Sequence, residues 1–466
     1  MKDIINGDSK YNEEADIKAK RDTFKNRFGF ILACIGSAVG MGNIWMFPYR
    51  VGACGGAAFL IPYFIFVFVL GFAGVAGEMA FGRAMGAGSI GSFRKAAEMR
   101  GQKWGGFVGF VPTVASLGIA IGYSVVVGWI LKFLAGSFLG ELMKVQSEEY
   151  FGAIASDFGS IPWHMAALAI TFIIMVFGIS KGIEKVNKFL MPLFFGLFLI
   201  LAIRVFFLEG SNEGYQFLLR PEWSMLAEPK TWIYALGQAF FSLSIGLGCM
   251  ITYSSYFNDK TNLQKTAFNV IALDTLVAVL AGLVIFPAVF SVGIEPTSGP
   301  SLVFVTLPSI FNTMTFGPFW SAIFFLLLIL AALTSTISLH EVLTAYLHEE
   351  RGLSRKGAAW VVTIGTSLLA CASSLSLGVW GDFKIFGLNI FDSLDFVTAN
   401  ILLPLGGLLT SIFAGWVLDR QILHEEVSDH GTMKCRLFGL LVVLLRYVCP
   451  ALLLWIFLYN LGLFKF

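Results

Sequence analysis

Two short segments rich in glycine and serine contain the residues best suited to binding a charged solute. They are residues 36–43 (GSAVGMGN) and residues 242–248 (SLSIGLG), each inside a long apolar run. A helix that unwinds within a bilayer exposes backbone N–H and C=O groups, which must line a polar cavity or bind a ligand. Amides at the start of a half-helix suit a carboxylate, whereas freed carbonyls suit a small cation or an ammonium group. The segments therefore predict a site for a zwitterion beside Na⁺.

The two segments also resemble one another. Residues 38–42 (AVGMG) align with residues 244–248 (SIGLG). Both segments follow the pattern small residue, aliphatic residue, Gly, aliphatic residue, Gly. Glycine also serves close helix packing in membranes, which is the alternative interpretation of either segment alone. Two matched clusters favour broken helices, and their placement in the first and sixth apolar runs indicates a five-plus-five internal repeat.

The elements that position these segments are predicted from composition. The chain is 57% hydrophobic and only 13% charged, against about 25% charged residues in soluble domains. Apolar runs of roughly 20 residues, enough to cross a bilayer as a helix, recur along the chain. We therefore predict an all-α integral membrane protein with broken spans 1 and 6. The eleven predicted spans are residues 28–50, 57–82, 105–139, 163–179, 182–208, 230–257, 264–293, 317–349, 357–376, 392–419 and 437–462.

The distribution of Lys and Arg predicts the orientation. Basic residues precede the first span and recur in every second turn, which the positive-inside rule places in the cytoplasm. The N-terminus is then cytoplasmic, and eleven spans place the C-terminus outside. The predicted units are a cytoplasmic segment (1–27), a first inverted repeat (28–208), an extracellular loop (209–229), a second inverted repeat (230–422), and span 11 with the C-terminus (423–466).

Four segments carry a family resemblance. They are residues 36–48 (GSAVGMGNIWMFP), 55–62 (GGAAFLIP), 237–256 (GQAFFSLSIGLGCMITYSSY) and 331–338 (AALTSTIS). With these in order, the chain resembles the neurotransmitter:sodium symporter family, especially its bacterial eleven-span amino-acid members. The resemblance implies sodium-coupled import of hydrophobic amino acids, aliphatic or aromatic, by alternating access across a bacterial inner membrane. It implies contact with membrane lipid and no enzymatic activity, organic cofactor, nucleic-acid partner or obligate protein partner.

The resemblance also implies two Na⁺ sites made of hard oxygen ligands. The first would use Ala38, Asn43, Ser242 and Asp274, completed by the substrate carboxylate. The second would use Gly36, Val39, Ala331, Thr334 and Ser335. For the adjacent hydroxyls of the second site, hydrogen bonding to their own helix backbone is the alternative interpretation.

The substrate contacts follow from the same resemblance. The carboxylate would meet the amides of Met41 and Gly42 and the Tyr123 hydroxyl. The ammonium group would meet carbonyls of Ala38, Phe241 and Ser242 and the Ser244 hydroxyl. The side chain would lie against Ile119, Phe241, Leu247, Ser335 and Leu339.

Three features concern gating, and the first of them departs from the family pattern. Met46 stands where many relatives have an Arg that pairs with the residue matching Asp395, so an outer ion pair of that form is excluded. Outer closure should then depend on packing of Tyr123 with Phe241. At the inner face, Arg21 is expected to reach Glu349, with Tyr256 nearby.

Two further features concern ion coupling. In span five, unwinding between Gly182 and Pro192 is expected to admit water to the second sodium site. Asp274 occupies a position that is Asn in chloride-dependent animal relatives, so we expect its carboxylate to replace the charge of chloride.

The residues also bear on other function classes. An enzyme is disfavoured because the sequence offers no nucleophile with a His and an acid beyond the neighbouring His340 and Glu341. An ion channel or an amino-acid sensor on a transporter fold remain alternatives. Two paired breaks in one chain favour alternating access over a single filter.

Overall fold

The computed structural model describes residues 22–156, 158–257, 262–293, 301–432 and 435–464. The described chain is almost entirely helical, which confirms the predicted fold class. We number the helices α1 (Arg27–Ala38), α2 (Gly42–Ala53), α3 (Ala57–Met85), α4 (Ser89–Glu98), α5 (Gly105–Leu139), α6 (Ser147–Ala155), α7 (Ile161–Val176), α8 (Ile179–Phe206), α9 (Ser211–Leu219), α10 (Pro229–Ser242), α11 (Cys249–Ser255), α12 (Leu263–Phe290), α13 (Leu302–Thr313), α14 (Gly317–Glu349), α15 (Arg355–Leu375), α16 (Ile390–Val417), α17 (Arg420–Val427) and α18 (Phe438–Asn460).

Most of the predicted spans have a counterpart that is long and apolar enough to cross a membrane. Eight single helices of the described ranges meet this condition, and α1 with α2 forms a ninth, bent span. The remaining two predicted spans correspond to α7, an apolar helix of 16 residues, and to α10 followed by α11. The exact count of eleven and the division into two repeats stay predictions.

Polar residues start several of these helices. The side chain of Asn26 accepts a hydrogen bond from the Gly29 amide at the start of α1, and Asn262 does the same for Lys265 at the start of α12. Such caps satisfy amides that have no partner within the helix. The predicted loop 209–229 also contains structure, namely α9 and a 3₁₀ turn at Trp223–Ala227.

The first span is broken, as the sequence predicts. Helix α1 ends at Ala38, and the axis of α2 is bent from it by 48°. Val39 is extended, with φ −68° and ψ 115°, so the helical hydrogen-bond ladder stops there. The Val39 carbonyl and the Gly40 and Met41 amides instead bond side chains inside the bundle.

The sixth span is broken over residues 243–248, between α10 and α11. Ser244, Gly246 and Gly248 all have positive φ, at 53°, 86° and 73°. A Cβ atom added to Gly246 would lie 2.4 Å from the Gly407 nitrogen in α16. The Gly246 amide donates a hydrogen bond to the buried Glu78 carboxylate at 2.7 Å. The second break is therefore held between α3 and α16.

Helix α14 forms the centre of the bundle. In its most apolar 18-residue window, 94% of the residues are buried, a far higher share than in α8 or α18. It packs against α1, α5 and α8. Groups on α14 can therefore face both the first break and the fifth span.

The close approach at Gly246 makes a testable prediction. Gly246→Ala should lower the free energy of unfolding by roughly 2 kcal/mol or more, because the new methyl group meets backbone atoms and the left-handed conformation is strained. Gly365→Ala in α15 is the matched control, since a Cβ there meets nothing within 4 Å. Thermal melting of the two purified variants in detergent measures the difference; equal melting temperatures would contradict the packing at the break.

Candidate solute and cation site

A small cavity lies where the two breaks face each other. It has a volume of about 40 Å³, which holds water molecules but not yet a larger solute. All the residues predicted to contact the solute line it: Ala38, Met41, Gly42, Ile119, Tyr123, Phe241, Ser242, Ser244, Leu247, Ser335 and Leu339. Ser37, Gly40, Cys249 and Ser338 also line it. They lie within the motif segments, but the resemblance assigned them no solute contact, and only the packing of the helices turns them toward the cavity.

One end of the cavity presents two groups that suit a carboxylate. The Met41 amide, freed by the first break, donates a hydrogen bond to the Tyr123 hydroxyl at 3.1 Å. These groups come from α5 and from the break, and they are close enough for one carboxylate to contact both. A Cβ atom on Gly40 would lie 2.9 Å from the same hydroxyl, so glycine permits this approach.

A buried carboxylate cluster lies beside the cavity. Asp274, on α12, is fully buried, and its Oδ2 accepts a hydrogen bond from the Ser242 hydroxyl at 2.7 Å. Its Oδ1 accepts one from the Asn43 amide at 2.8 Å. Asn43 Nδ2 also lies 2.9 Å from the Ser242 hydroxyl oxygen. Both side-chain partners of Asp274 are neutral, so they leave an ionised carboxylate without a compensating charge, and a bound cation would supply one inside the membrane.

A second oxygen cluster joins α14 to the first break. The Ser335 hydroxyl donates to the Val39 carbonyl at 3.1 Å and to the Gly36 carbonyl at 3.3 Å. The Thr334 hydroxyl donates to the Ala331 carbonyl at 2.9 Å, within its own helix. Ser335 therefore bridges two helices, whereas the bonds of Thr334 fit the within-helix alternative. Of the five oxygens predicted for the second sodium site, the Ser335 hydroxyl contacts the Gly36 and Val39 carbonyls, while Thr334 and Ala331 are buried beside Ser335 on α14.

A wide vestibule opens above the cavity on the side opposite the start of α1. Its volume is about 590 Å³, and it shares Met41, Ile119, Tyr123 and Phe241 with the cavity. These four side chains form the partition between the two spaces. Tyr123 and Phe241, the residues expected to close the outer side, are both members of this partition.

The vestibule is lined by a positively charged side chain, Arg50, that the sequence interpretation missed. Met46 and Asp395 both line it, and so does Arg50, one helical turn beyond Met46. Arg50 donates to the Gln238 side chain at 3.2 Å, and Gln238 donates to the Gly42 carbonyl at 2.7 Å. The four-residue spacing from Met46 was the available signal, since it places both side chains on one helix face.

The opposite side, where α1 begins, is closed by buried polar contacts. Arg355 donates two hydrogen bonds to the Glu341 carboxylate, at 2.6 and 3.0 Å, and the Tyr256 hydroxyl donates a third at 2.7 Å. Glu349 accepts from the Gly88 amide at 2.7 Å. The expected partner Arg21 lies outside the described residues, so its pairing with Glu349 stays a prediction. Arg355 was missed because its approach to Glu341 depends on the turn between α14 and α15.

The start of span five is helical in this structure. Gly182 lies in a wide π-helical turn at Ile179–Ile183, and a Cβ atom there would be 2.2 Å from the Ile174 carbonyl of α7. Pro192 follows inside α8 without interrupting it. The predicted unwinding of this segment stays a prediction.

These features describe a multi-pass membrane protein with a small cavity between two broken helices. The chain belongs to the sodium:neurotransmitter symporter family, whose sequence model matches residues 21–153 and 144–465. Members of this family are sodium-dependent secondary transporters and not enzymes.

Similar proteins span almost the whole chain. The uncharacterized sodium-dependent transporter YhdH of Bacillus subtilis is 35% identical over 445 residues, covering 95% of this chain and 98% of its own. An uncharacterized sodium-dependent transporter of Haemophilus influenzae is also 35% identical, with the same shares covered. The crystal structure of MhsT in complex with L-phenylalanine has a TM-score of 0.86 and 40% identity, covering 94% of this chain and all of that one.

The buried ion pair at the closed side makes a prediction. Arg355→Met should lower stability by about 3 kcal/mol, because it leaves the Glu341 carboxylate buried without its cation. Adding Glu341→Gln should recover part of this loss, since the uncompensated charge is then removed. Melting of the two single variants and the double variant in detergent forms a double-mutant cycle; strictly additive losses would mean that the pair is not coupled.

Proposed function

We propose that this protein is a sodium-coupled symporter that imports hydrophobic L-amino acids, aliphatic or aromatic, by alternating access. The proposal rests on one observation above all: the Met41 amide and the Tyr123 hydroxyl lie 3.1 Å apart at the cavity that the Asp274 cluster borders. An amino acid could place its carboxylate there, between neutral donors and a bound cation. The protein would lie in a bacterial inner membrane, with a cytoplasmic N-terminus and an extracytoplasmic C-terminus.

The two ends of the amino acid would use the two breaks differently. Met41 and Gly42 begin α2, so their amides carry the partial positive charge of a helix start and suit the carboxylate. The ammonium group would contact the carbonyls of Ala38, Phe241 and Ser242 and the Ser244 hydroxyl. Ser244 already bonds the Ser37 carbonyl at 3.2 Å, so its hydroxyl lies at the first break. Backbone and hydroxyl groups would thereby stabilise both the carboxylate and the ammonium group without an oppositely charged side chain for each.

The side chain would lie among Ile119, Phe241, Leu247, Leu339 and Ser335. This lining is almost wholly apolar, which favours hydrophobic side chains by burial. The crystal structure of MhsT contains L-phenylalanine, an amino acid of this class. Because the cavity has a volume of only about 40 Å³, the partition residues Phe241 and Tyr123 must shift when a side chain of this size enters.

Two sodium ions would be carried with the amino acid. At the first site, Asp274, Asn43, Ser242 and the Ala38 carbonyl would hold the ion, and the substrate carboxylate would complete its shell. This shared contact would make amino-acid and sodium binding mutually dependent. At the second site, the Gly36, Val39 and Ala331 carbonyls and the Thr334 and Ser335 hydroxyls would hold an ion between α1 and α14. Its occupancy would fix the first span against the central helix.

Alternating access would follow from the two closures. The vestibule leads to the partition on one side, whereas the Glu341–Arg355 pair closes the other. This arrangement fits a state that receives solute from outside. Opening of the inner side would need separation of the pair and, we propose, unwinding of span five between Gly182 and Pro192.

Uptake of radiolabelled L-phenylalanine or L-leucine into proteoliposomes tests the proposal. We expect saturable uptake that requires an inward sodium gradient. Ser335→Ala should raise the half-saturating sodium concentration about tenfold, because a bridging oxygen ligand is lost. Thr336→Ala is the matched control, since this hydroxyl bonds the Ala332 carbonyl within its own helix and does not line the cavity.

The same assay separates the competing functions. Sodium-dependent binding without uptake would indicate a sensor and contradict transport. A large current without saturable uptake would indicate a channel. Uptake that is independent of sodium would contradict the coupling.

The Asp274 carboxylate makes a prediction about chloride. Transport should survive complete replacement of chloride by gluconate, because the carboxylate already supplies a negative charge beside the first sodium site. Asp274→Asn should reduce sodium-dependent binding about tenfold or more, because a buried charged ligand is removed. Asp382→Asn, on an exposed loop, is the control for the charge change. Loss of wild-type transport in gluconate would contradict the role of Asp274.

A further inference from the structure

Asn187 on α8 has a buried oxygen that the sequence interpretation and the sodium sites described above leave without a role. The residue is 1% exposed. Its side-chain nitrogen donates to the Ile183 carbonyl at 2.9 Å, so the amide is held in one orientation. Its Oδ1 has no hydrogen-bond partner within the described part of the chain. An unpaired buried oxygen is unfavourable, and in a membrane interior bulk water cannot compensate for it.

This oxygen lies beside two residues of the second oxygen cluster, Gly36 and Thr334. A Cβ atom added to Gly36 would lie 2.4 Å from Asn187 Oδ1 and 2.9 Å from the Thr334 Cβ. Gly36 supplies a carbonyl to that cluster, and Thr334 is the neighbour of Ser335 in it. The absence of a side chain at Gly36 is therefore what leaves room for the Asn187 oxygen. Helices α1, α8 and α14 meet at this point.

The chemistry of the oxygen matches the ion proposed for this region. A carboxamide oxygen is a hard, neutral ligand of the same kind as the carbonyls and hydroxyls around it. The donor nitrogen bonds the Ile183 carbonyl, so the acceptor oxygen is the atom that lies beside Gly36. A cation or a hydrogen-bond donor would satisfy this atom, whereas an anion or an apolar group would not.

We propose that Asn187 Oδ1 is a further oxygen ligand of the second sodium ion, contributed by span five. This inference rests on the proposed sodium-coupled function. The contact would connect the ion to the segment between Gly182 and Pro192, because Asn187 lies midway between them and is bonded to the wide turn at Ile179–Ile183. Sodium in the second site would then hold span five against α1 and α14, and its departure would release that segment.

Binding of radioactive sodium to the purified full-length protein, measured across a range of sodium concentrations, tests this role. Asn187→Leu keeps the volume and removes the oxygen. It should raise the half-saturating sodium concentration of one of the two binding phases about tenfold. Asn187→Asp keeps an oxygen at the same place and should bind sodium at least as tightly as the wild type. Met191→Leu, one turn further along the same buried face of α8, is the packing control.

The outcomes separate this inference from the proposed function. If wild-type protein binds sodium and Asn187→Leu behaves as Met191→Leu does, the role of Asn187 is refuted while sodium coupling stands. If Asn187→Asp loses sodium binding as fully as Asn187→Leu, the oxygen is not the relevant feature and the inference also fails. If the wild type binds no sodium, the proposed function itself is overturned. A parallel measurement of sodium-induced increase in melting temperature should follow the same order of variants.

Discussion

The interaction on which this structure depends is the hydrogen bonding of backbone groups that two helices release inside the membrane. Lipid offers no partner for an amide or a carbonyl, so such groups persist only where the protein surrounds them. Here the break after Ala38 and the break at residues 243–248 face a shared cavity, and side chains from other helices meet the freed groups. Tyr123 accepts from one amide, Glu78 accepts from another, and Ser335 donates to two carbonyls.

The surrounding helices can be understood as supports for this arrangement. Helix α14, whose most apolar stretch is almost fully buried, presents Ser335 to the first break, while α12 presents Asp274 to the same region from another direction. Glycines at the points of contact allow backbones and side chains to approach, as at Gly40 beside Tyr123 and at Gly246 beside α16. Close packing and polar bonding therefore act together, since each polar contact requires a specific approach of helices.

The asymmetry between the two sides gives the site its route of access. One side has a vestibule of about 590 Å³ separated from the cavity by four side chains, and the other has a buried ion pair and a tyrosine hydroxyl. Side chains in a partition can rotate individually, whereas a buried ion pair must separate before its helices part. In the proposed transport cycle, entry and exit would therefore involve different kinds of movement. Arg50 and Gln238 extend the polar network of the first break into the vestibule.

The sequence alone determined the helical membrane fold, the two broken spans and the residues that gather around the cavity. Apolar runs of bilayer length and matched glycine segments are local signals, and the motif resemblance assigned distant residues such as Tyr123 and Asp274 to the region of the two breaks, where they contact Met41 and Ser242. Only the tertiary structure decided which polar atoms meet. The pairing of Arg355 with Glu341, the link from Arg50 to Gln238 and the direction of Asn187 toward Gly36 depend on how separate helices cross. Spacing along one helix carries no information about such contacts, because helix packing, and not local periodicity, sets the distances between them.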